Sequence, residues 1–244
     1  GATNGWIPIE DDTVTDVPWK GNEEGIFGFG TTGTVTGVTN LVSSSGVVAS
    51  DVAAVGTARY ALAACEYGED KGIFAYGYSP ATGQVNTRNL VSNVGVVASD
   101  ATGAGTARSS ITACSYSTDK GIFFGSSAYL AVTNTVSDAG VVSTDVTAVT
   151  GVTGRQNPGG CEYGLTKGIF GYGNDAGYLS STNLVSDTGV MVADVTGVGT
   201  ARTDIAACSY GKDKGIFAYG KKTGNVRVSM SNLVSNTGVV GTDV

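Results

Sequence analysis

The stretch from Arg59 to Gly77 reads RYALAACEYGEDKGIFAYG. It is a run of small apolar residues, a polar turn and a short aromatic run ending in glycine. Segments of this kind, bounded by Gly, Asn, Asp or Ser, read as strands, so the stretch is a β-hairpin. Its elements return along the chain. Gly-Ile-Phe begins at Gly25, Gly72, Gly121, Gly168 and Gly215, spaced by 47, 49, 47 and 47 residues. Asn-Leu-Val-Ser or a near variant begins at Asn40, Asn89, Asn134, Asn183 and Asn232, and eleven residues later stand Asp51, Asp100, Asp145, Asp194 and Asp243. Cys65, Cys114, Cys161 and Cys208 each precede the next Gly-Ile-Phe glycine by seven residues. Tyr67, Tyr116, Tyr163 and Tyr210 follow these cysteines by two, and Arg59, Arg108, Arg155 and Arg202 precede them by six. A period of this length means a solenoid, an array or a propeller.

In the second copy four strands are predicted: A over Tyr60 to Tyr67, B over Gly72 to Gly77, C over Val85 to Ser92 and D over Gly95 to Ala98. No window keeps a 3.6-residue apolar period for the length a helix needs. Four antiparallel strands per repeat, five times over, predict an all-β chain: a single five-bladed β-propeller domain over residues 1–244. The blades fall at approximately 1–52, 53–101, 102–146, 147–195 and 196–244. Strand A, rich in Ala, Gly and Cys, is placed nearest the axis. The array is expected to close into a ring by packing of the first blade against the last. The first strand A departs from the pattern, with Pro18 at the cysteine position and no arginine before it.

Composition agrees. Glycine supplies 38 of 244 residues, proline 4, and charged residues 14%, which suits short strands and turns rather than coiled coil, collagen or disorder. There is no histidine, which excludes Ser-His-Asp and Cys-His catalysis and histidine-zinc sites. A net charge of −7 gives no footprint for nucleic acid, whose binders gather lysine and arginine on one face. No apolar run reaches the length of a membrane span, so membrane insertion is not expected, and no signal peptide is visible.

The hairpin at Arg59 to Gly77 resembles a kelch repeat, with an arginine, a small-residue strand holding an Ala-Cys pair, a turn and an aromatic strand ending in glycine. Tyr-Gly stands where kelch has paired glycines, and the kelch tryptophan is missing. Five copies also resemble the plan, though not the tryptophan-rich motif, of the sugar-binding propeller tachylectin. The phrases DKGIFAYG, GTAR and NLVSNTGVV resemble repeats in virion proteins of tailed bacteriophages. That resemblance implies a tail-fibre or capsid-surface role.

Candidate chemistry is sparse. Gly28 to Gly33 matches G-x-G-x-x-G, but Thr34 to Val38 continues as a strand instead of the helix that a phosphate-binding loop requires. The four cysteines lack C-x-x-C pairing. Sheets pack roughly 10 Å apart, beyond the reach of a disulfide, so buried free thiols are expected. The repeated aspartates and arginines read as scaffold, a carboxylate ordering the D-to-A connection by accepting from backbone amides or from the arginine. Asp70-Lys71, Asp119-Lys120 and Asp213-Lys214 read as turn chemistry. Glu10, Asp11 and Asp12 read as a solvated strand end, with a calcium site the alternative. Glu66 and Glu162 share a position that holds Ser115 and Ser209 in other copies. A glycosidase needs a convergent carboxylate pair, and no such set is apparent. No metal site or cofactor is assigned.

Length varies in two intervals only. The Gly-to-Asn interval, which holds the B-to-C hairpin, runs 15, 17, 13, 15 and 17 residues, and the Asp-to-Cys interval, which holds the D-to-A connection, runs 14, 14, 16 and 14. In an antiparallel blade both emerge at the same end, so one face varies and the other is standardised. Tyr78, Tyr129, Tyr178, Lys221, Lys222 and Arg227 lie in the variable loops outside the repeat consensus. Loops on a rigid scaffold carry recognition, and Tyr and Arg supply contact energy; neutral drift in loosely constrained hairpins gives the same pattern. The expectation is a non-enzymatic structural or adhesion module, extracellular or on a virion surface. Its partner would be a cell-surface receptor, a glycan or another virion subunit. A free-standing lectin is the alternative, and a glycosidase the third reading.

Overall fold

The computed structural model describes residues 23–147 and 150–244, and among them the chain is all-β, without a helix. In repeats 2 to 5, strands A, B and C form an antiparallel meander. In repeat 2 they are Ala63–Tyr67, Lys71–Ala75 and Arg88–Val91, with Cys65 opposite Ile73 and Ile73 opposite Leu90. Repeat 3 uses Thr112–Tyr116, Lys120–Phe124 and Val132–Val136. Repeat 4 uses Gly159–Tyr163, Lys167–Gly171 and Thr182–Val185, and repeat 5 uses Ala206–Tyr210, Lys214–Ala218 and Ser231–Val234. Repeat 1 contributes Gly25–Thr31 and Val35–Val42. Its expected strand A, with Pro18, and the acidic run Glu10 to Asp12 lie outside the described residues. Gly28 to Gly33 sits in the hairpin between these two strands, so no helix follows the glycine motif.

Strand D differs from the four-strand expectation. The valine run meets strand C at two separated bridges, Val91 with Val97 and Arg88 with Ala101 in repeat 2. Repeat 3 adds the short strand Val146–Thr147 beside Val132 and Thr133. The interruption comes from Asn89, whose amide donates to the Ala98 carbonyl at 3.0 Å and to Asp100 Oδ1 at 2.9 Å. A carbonyl in the ladder needs a partner, and here a side chain supplies it in place of a backbone amide.

The sheets stack face to face in chain order, strand A of repeats 2, 3 and 4 packing on strands A and B of the next. Small residues make this possible. A Cβ added at Gly168 would stand 2.6 Å from Cys114 Sγ, and one at Gly215 would stand 2.6 Å from Cys161 Sγ. Glycine facing cysteine draws strand A within 8 Å, Cα to Cα, of its successor, tighter than the usual sheet spacing of about 10 Å. Ring pairs join the repeats: Phe29 with Phe74, Tyr76 with Phe123, Phe124 with Phe170 and Tyr172 with Phe217, centroids 5.2–5.4 Å apart. Phe74, Phe123, Phe170 and Phe217 are buried, as are Ile73, Ile122 and Ile169.

Closure into a ring is not seen among the described residues. Phe27, the repeat 1 counterpart of those phenylalanines, is 64% exposed, and at the other end Tyr210, Tyr219 and Leu233 are 38%, 61% and 46% exposed.

Candidate functional site

The most elaborate polar constellation is buried, and it is built from the repeated arginine, asparagine and aspartate. Arg59 is fully buried. It donates from Nε to the Tyr76 carbonyl at 2.8 Å, from Nη1 to the Thr57 carbonyl at 3.2 Å and from Nη2 to Asn89 Oδ1 at 2.7 Å. Asp100 then accepts from the Thr57 amide at 2.8 Å and from its hydroxyl at 2.7 Å. The set recurs as Arg108, Asn134, Asp145 and Thr106, as Arg155, Asn183, Asp194 and Thr153, and as Arg202, Asn232, Asp243 and Thr200. Arg155 also reaches its aspartate directly, at 3.0 Å. The scaffold reading of these residues therefore holds. The pairing runs between the two ends of one repeat, Arg59 with Asp100, and not between neighbours in sequence such as Asp51 and Arg59. Burial opposes ionisation of Asp100, Asp145, Asp194 and Asp243. Hydrogen bonds from threonine and asparagine, with the arginine charge, outweigh it and hold all four below the ordinary aspartate value. Burial draws Arg59 down to about 10, against the pull of Asp100.

Backbone geometry serves this cluster. Tyr76 (φ 63°) and Gly77 (φ 110°) both occupy the left-handed region, which for a tyrosine costs on the order of 1–2 kcal/mol. The kink ends strand B, aims the Tyr76 carbonyl at Arg59 and lets the Gly77 amide donate to the Arg108 carbonyl of the next repeat at 2.9 Å. Each guanidinium also lies over an aromatic ring of the preceding repeat, Arg59 over Phe29 at 4.2 Å and Arg202 over Tyr172 at 4.1 Å.

The variable loops emerge at the end of strand B opposite the A-to-B turns, as the meander requires. Tyr78 begins a short ribbon, Tyr78–Ser79 against Gly83–Gln84, and its half-buried ring lies 5.5 Å from that of Tyr60. Lys221 and Lys222 face Arg227 and Val226 on a second ribbon, and Lys221 pairs with Asp204 at 3.1 Å. Tyr129 is 42% exposed, and its hydroxyl donates to Asn174 Oδ1 at 3.5 Å; Asn174 in turn bridges to Tyr178 through the backbone. Gln84 donates to Ser127 Oγ at 2.9 Å. The structure thus links loops of adjacent repeats in a row, repeat 2 to 3 and 3 to 4. It does not gather the six sequence-predicted residues into one pocket. Tyr60, Ser127, Asn174 and Asp204 belong to this row and were missed by sequence reasoning; the unusual Tyr60 after the recurring Thr-Ala-Arg was the available signal. At the standardised end, Lys71 and Lys120 pair with Asp70 and Asp119 at 2.8 and 3.1 Å, as turn chemistry predicts.

Other candidates resolve into packing. A cavity of about 290 Å³ lies between the first two sheets, lined by Glu24, Glu66, Glu69, Asp70 and Lys71 over Ile26, Ile73 and Phe74. At later junctions the corresponding space takes the cysteine of the preceding strand A. Glu66 and Glu162 sit in repeats 2 and 4, with strand A of repeat 3 between them. The cysteines are not uniformly buried as expected: Cys114 and Cys161 are, Cys65 is half-buried and Cys208 is exposed, since among the described residues no further repeat packs on the last strand A. Burial pushes Cys65 and Cys161 up to about 12 and raises Cys114 well above the ordinary thiol value. Among the described residues no group of three His, Cys, Asp or Glu side chains is placed to hold a metal ion.

No protein-family model and no curated protein matches the chain.

Proposed function

We propose that the chain is a non-enzymatic structural or adhesion module of propeller-type blades, displayed extracellularly or on a virion surface. It would contact a receptor, a glycan or a neighbouring subunit through its B-to-C and D-to-A loops. One observation carries this reading. The elaborate polar chemistry is spent internally on the arginine clusters, while the residues that differ from copy to copy stand side by side at one end of the stack. A rigid repeated frame with variable loops at one end suits recognition. Packing of successive small-residue strands A on one another supports blades arranged in series about an axis. A five-bladed propeller is the form in which the face bearing Phe27 meets the face bearing Tyr219 within one chain.

A lectin is favoured instead by the Tyr60–Tyr78 ring pair and the exposed Tyr129, since aromatic rings supply an apolar face with a polar edge for a sugar. Single alanine substitutions at Tyr78, Tyr129, Tyr178, Lys221, Lys222 and Arg227, with Lys71 and Lys120 as controls, test the face on a glycan array and in whole-cell binding. An anchor residue should cost about 2 kcal/mol or more, and the controls little. Glycan recognition by several repeats at once supports the lectin. Loss of binding only through the control lysines refutes the face, and turnover in a glycoside screen refutes the non-enzymatic reading.

A further inference from the structure

Repeats 2, 3 and 4 each hold one rigid pair of residues whose side chains differ from copy to copy. One member directly follows the buried arginine, and the other stands two residues beyond the carbonyl which that arginine holds. The pair is Tyr60 and Tyr78 in repeat 2, Ser109 and Ser127 in repeat 3, and Gln156 and Asn174 in repeat 4. Its backbone is fixed by its own hydrogen bonds. Tyr60 and Tyr78 exchange two, at 3.0 and 2.8 Å, Gln156 and Asn174 exchange two, at 2.9 and 3.0 Å, and the Ser127 amide donates to the Ser109 carbonyl at 2.8 Å. On this constant frame the side chains meet in unlike ways, ring beside ring at 5.5 Å, hydroxyl to hydroxyl at 3.3 Å and carboxamide to carboxamide at 3.3 Å. Drift in a loosely held hairpin would let the backbone vary with the side chains, whereas at these pairs only the side chains change.

The pairs form a continuous row. Gln84, opposite Tyr78 on the repeat 2 ribbon, donates to Ser127 of repeat 3 at 2.9 Å, and the Tyr129 hydroxyl of repeat 3 donates to Asn174 of repeat 4 at 3.5 Å. None of the six pair residues is ionised at neutral pH; they supply phenol, hydroxyl and carboxamide groups. Such groups exchange hydrogen bonds with sugar hydroxyls in both directions, and tyrosine rings add an apolar face. A charged ligand would lose water here without gaining a counter-charge. A peptide added as a strand needs open backbone groups, and the facing backbone groups of these pairs are spent on each other. Stacked repeats present such positions as one extended surface.

We propose that this row is the binding track for a neutral, linear glycan running across repeats 2, 3 and 4, which rests on the reading of the variable-loop end as the recognition face. Tyr60 and Tyr78 supply the stacking faces at one end, and the carboxamides of Gln156 and Asn174 supply paired donors and acceptors at the other. Binding therefore needs a sugar chain long enough to reach both, and a single terminal sugar does not suffice.

Isothermal titration of the full chain with cello-, malto-, xylo- and manno-oligosaccharides, from the monosaccharide upward in length, tests it. Affinity for at least one series should climb with length until the chain spans repeats 2 to 4, and then level off. Tyr78→Ala should weaken the longest member about thirtyfold and Asn174→Ala about fivefold. Tyr78→Phe, which keeps the ring, should bind nearly as the wild type does. Near-UV circular dichroism checks that the variants fold. Oligogalacturonates and a soluble peptide library are the charged and peptide comparators. Binding to none of the neutral series overturns the proposal, and so does a monosaccharide that binds as tightly as the longest chain. A comparator that binds alone, and is lost with Tyr78→Ala, also overturns it while leaving the recognition face in place. Neutral-glycan binding that survives both alanine variants overturns the track, and its loss with Lys71→Ala overturns the face as well.

Discussion

Arg59 and Asp100 are joined less by direct attraction than through Asn89. The guanidinium donates to Asn89 Oδ1 at 2.7 Å and the same amide donates to Asp100 at 2.9 Å, while the two charges stand 3.9 Å apart. The asparagine thereby connects a fully buried cation to a part-exposed anion and fills the gap in the C-to-D ladder. Both functions fall on one side chain, which is why its spacing to the aspartate never varies.

Removing an arginine strands its partners. Arg108→Ala should lower stability by about 3–5 kcal/mol, the range for breaking a buried ion pair from one side. Asp145→Asn, on the part-exposed side, should cost less. Urea unfolding midpoints of both variants and of the double variant give the coupling, and a freely tolerated Arg108→Ala would contradict the network.

The four aspartates make stability acid-sensitive. Their folded values lie below the ordinary one of 3.8, so the contribution is complete above the unfolded value of about 3.9 and drains away as pH falls through the folded values. Melting temperatures taken from pH 6 down to about pH 2.5 should therefore fall steepest below pH 4, and Asp145→Asn should flatten that slope.

Gly168 faces Cys114 Sγ too closely for a methyl group. Gly168→Ala should destabilise by about 1–3 kcal/mol, the usual cost of overpacking. Cys114→Ala, which removes the sulfur, should recover part of that loss when the two are combined. Simple additivity in thermal or urea unfolding would show that the contact is not limiting.

Thiol reactivity should divide by position along the stack. In dilute native protein near pH 8, Cys208 should react first with iodoacetamide because it is exposed. Burial disfavours the thiolates of Cys65, Cys114 and Cys161, and these should react only as the chain opens. Denatured, unreduced protein should titrate four thiols, one for each cysteine; mass spectrometry of the alkylated peptides assigns the order.

Much was legible in the chain because the repeat is local. Strands A, B and C, the A-to-B turns and the scaffold role of Arg and Asp follow from patterns within about fifty residues, where period-2 alternation and turn chemistry act directly. The site was legible only as a list. Tyr129 and Asn174 lie 45 positions apart and meet because consecutive hairpins stand side by side. Tyr78 is half-buried against Tyr60 for a reason that loop lengths do not carry.

The sequence by itself determined the repeating unit and its count, since each depends on side chains a single sheet brings together. The tertiary structure alone decided that Arg59 pairs with the aspartate ending its own repeat, that Asn89 interrupts strand D, and that Phe27 and Tyr219 at the two ends of the described stack are exposed. Those outcomes depend on how closely one sheet approaches the next. That distance is set jointly by glycine against cysteine and ring against ring across every junction, and no single repeat contains both sides of it.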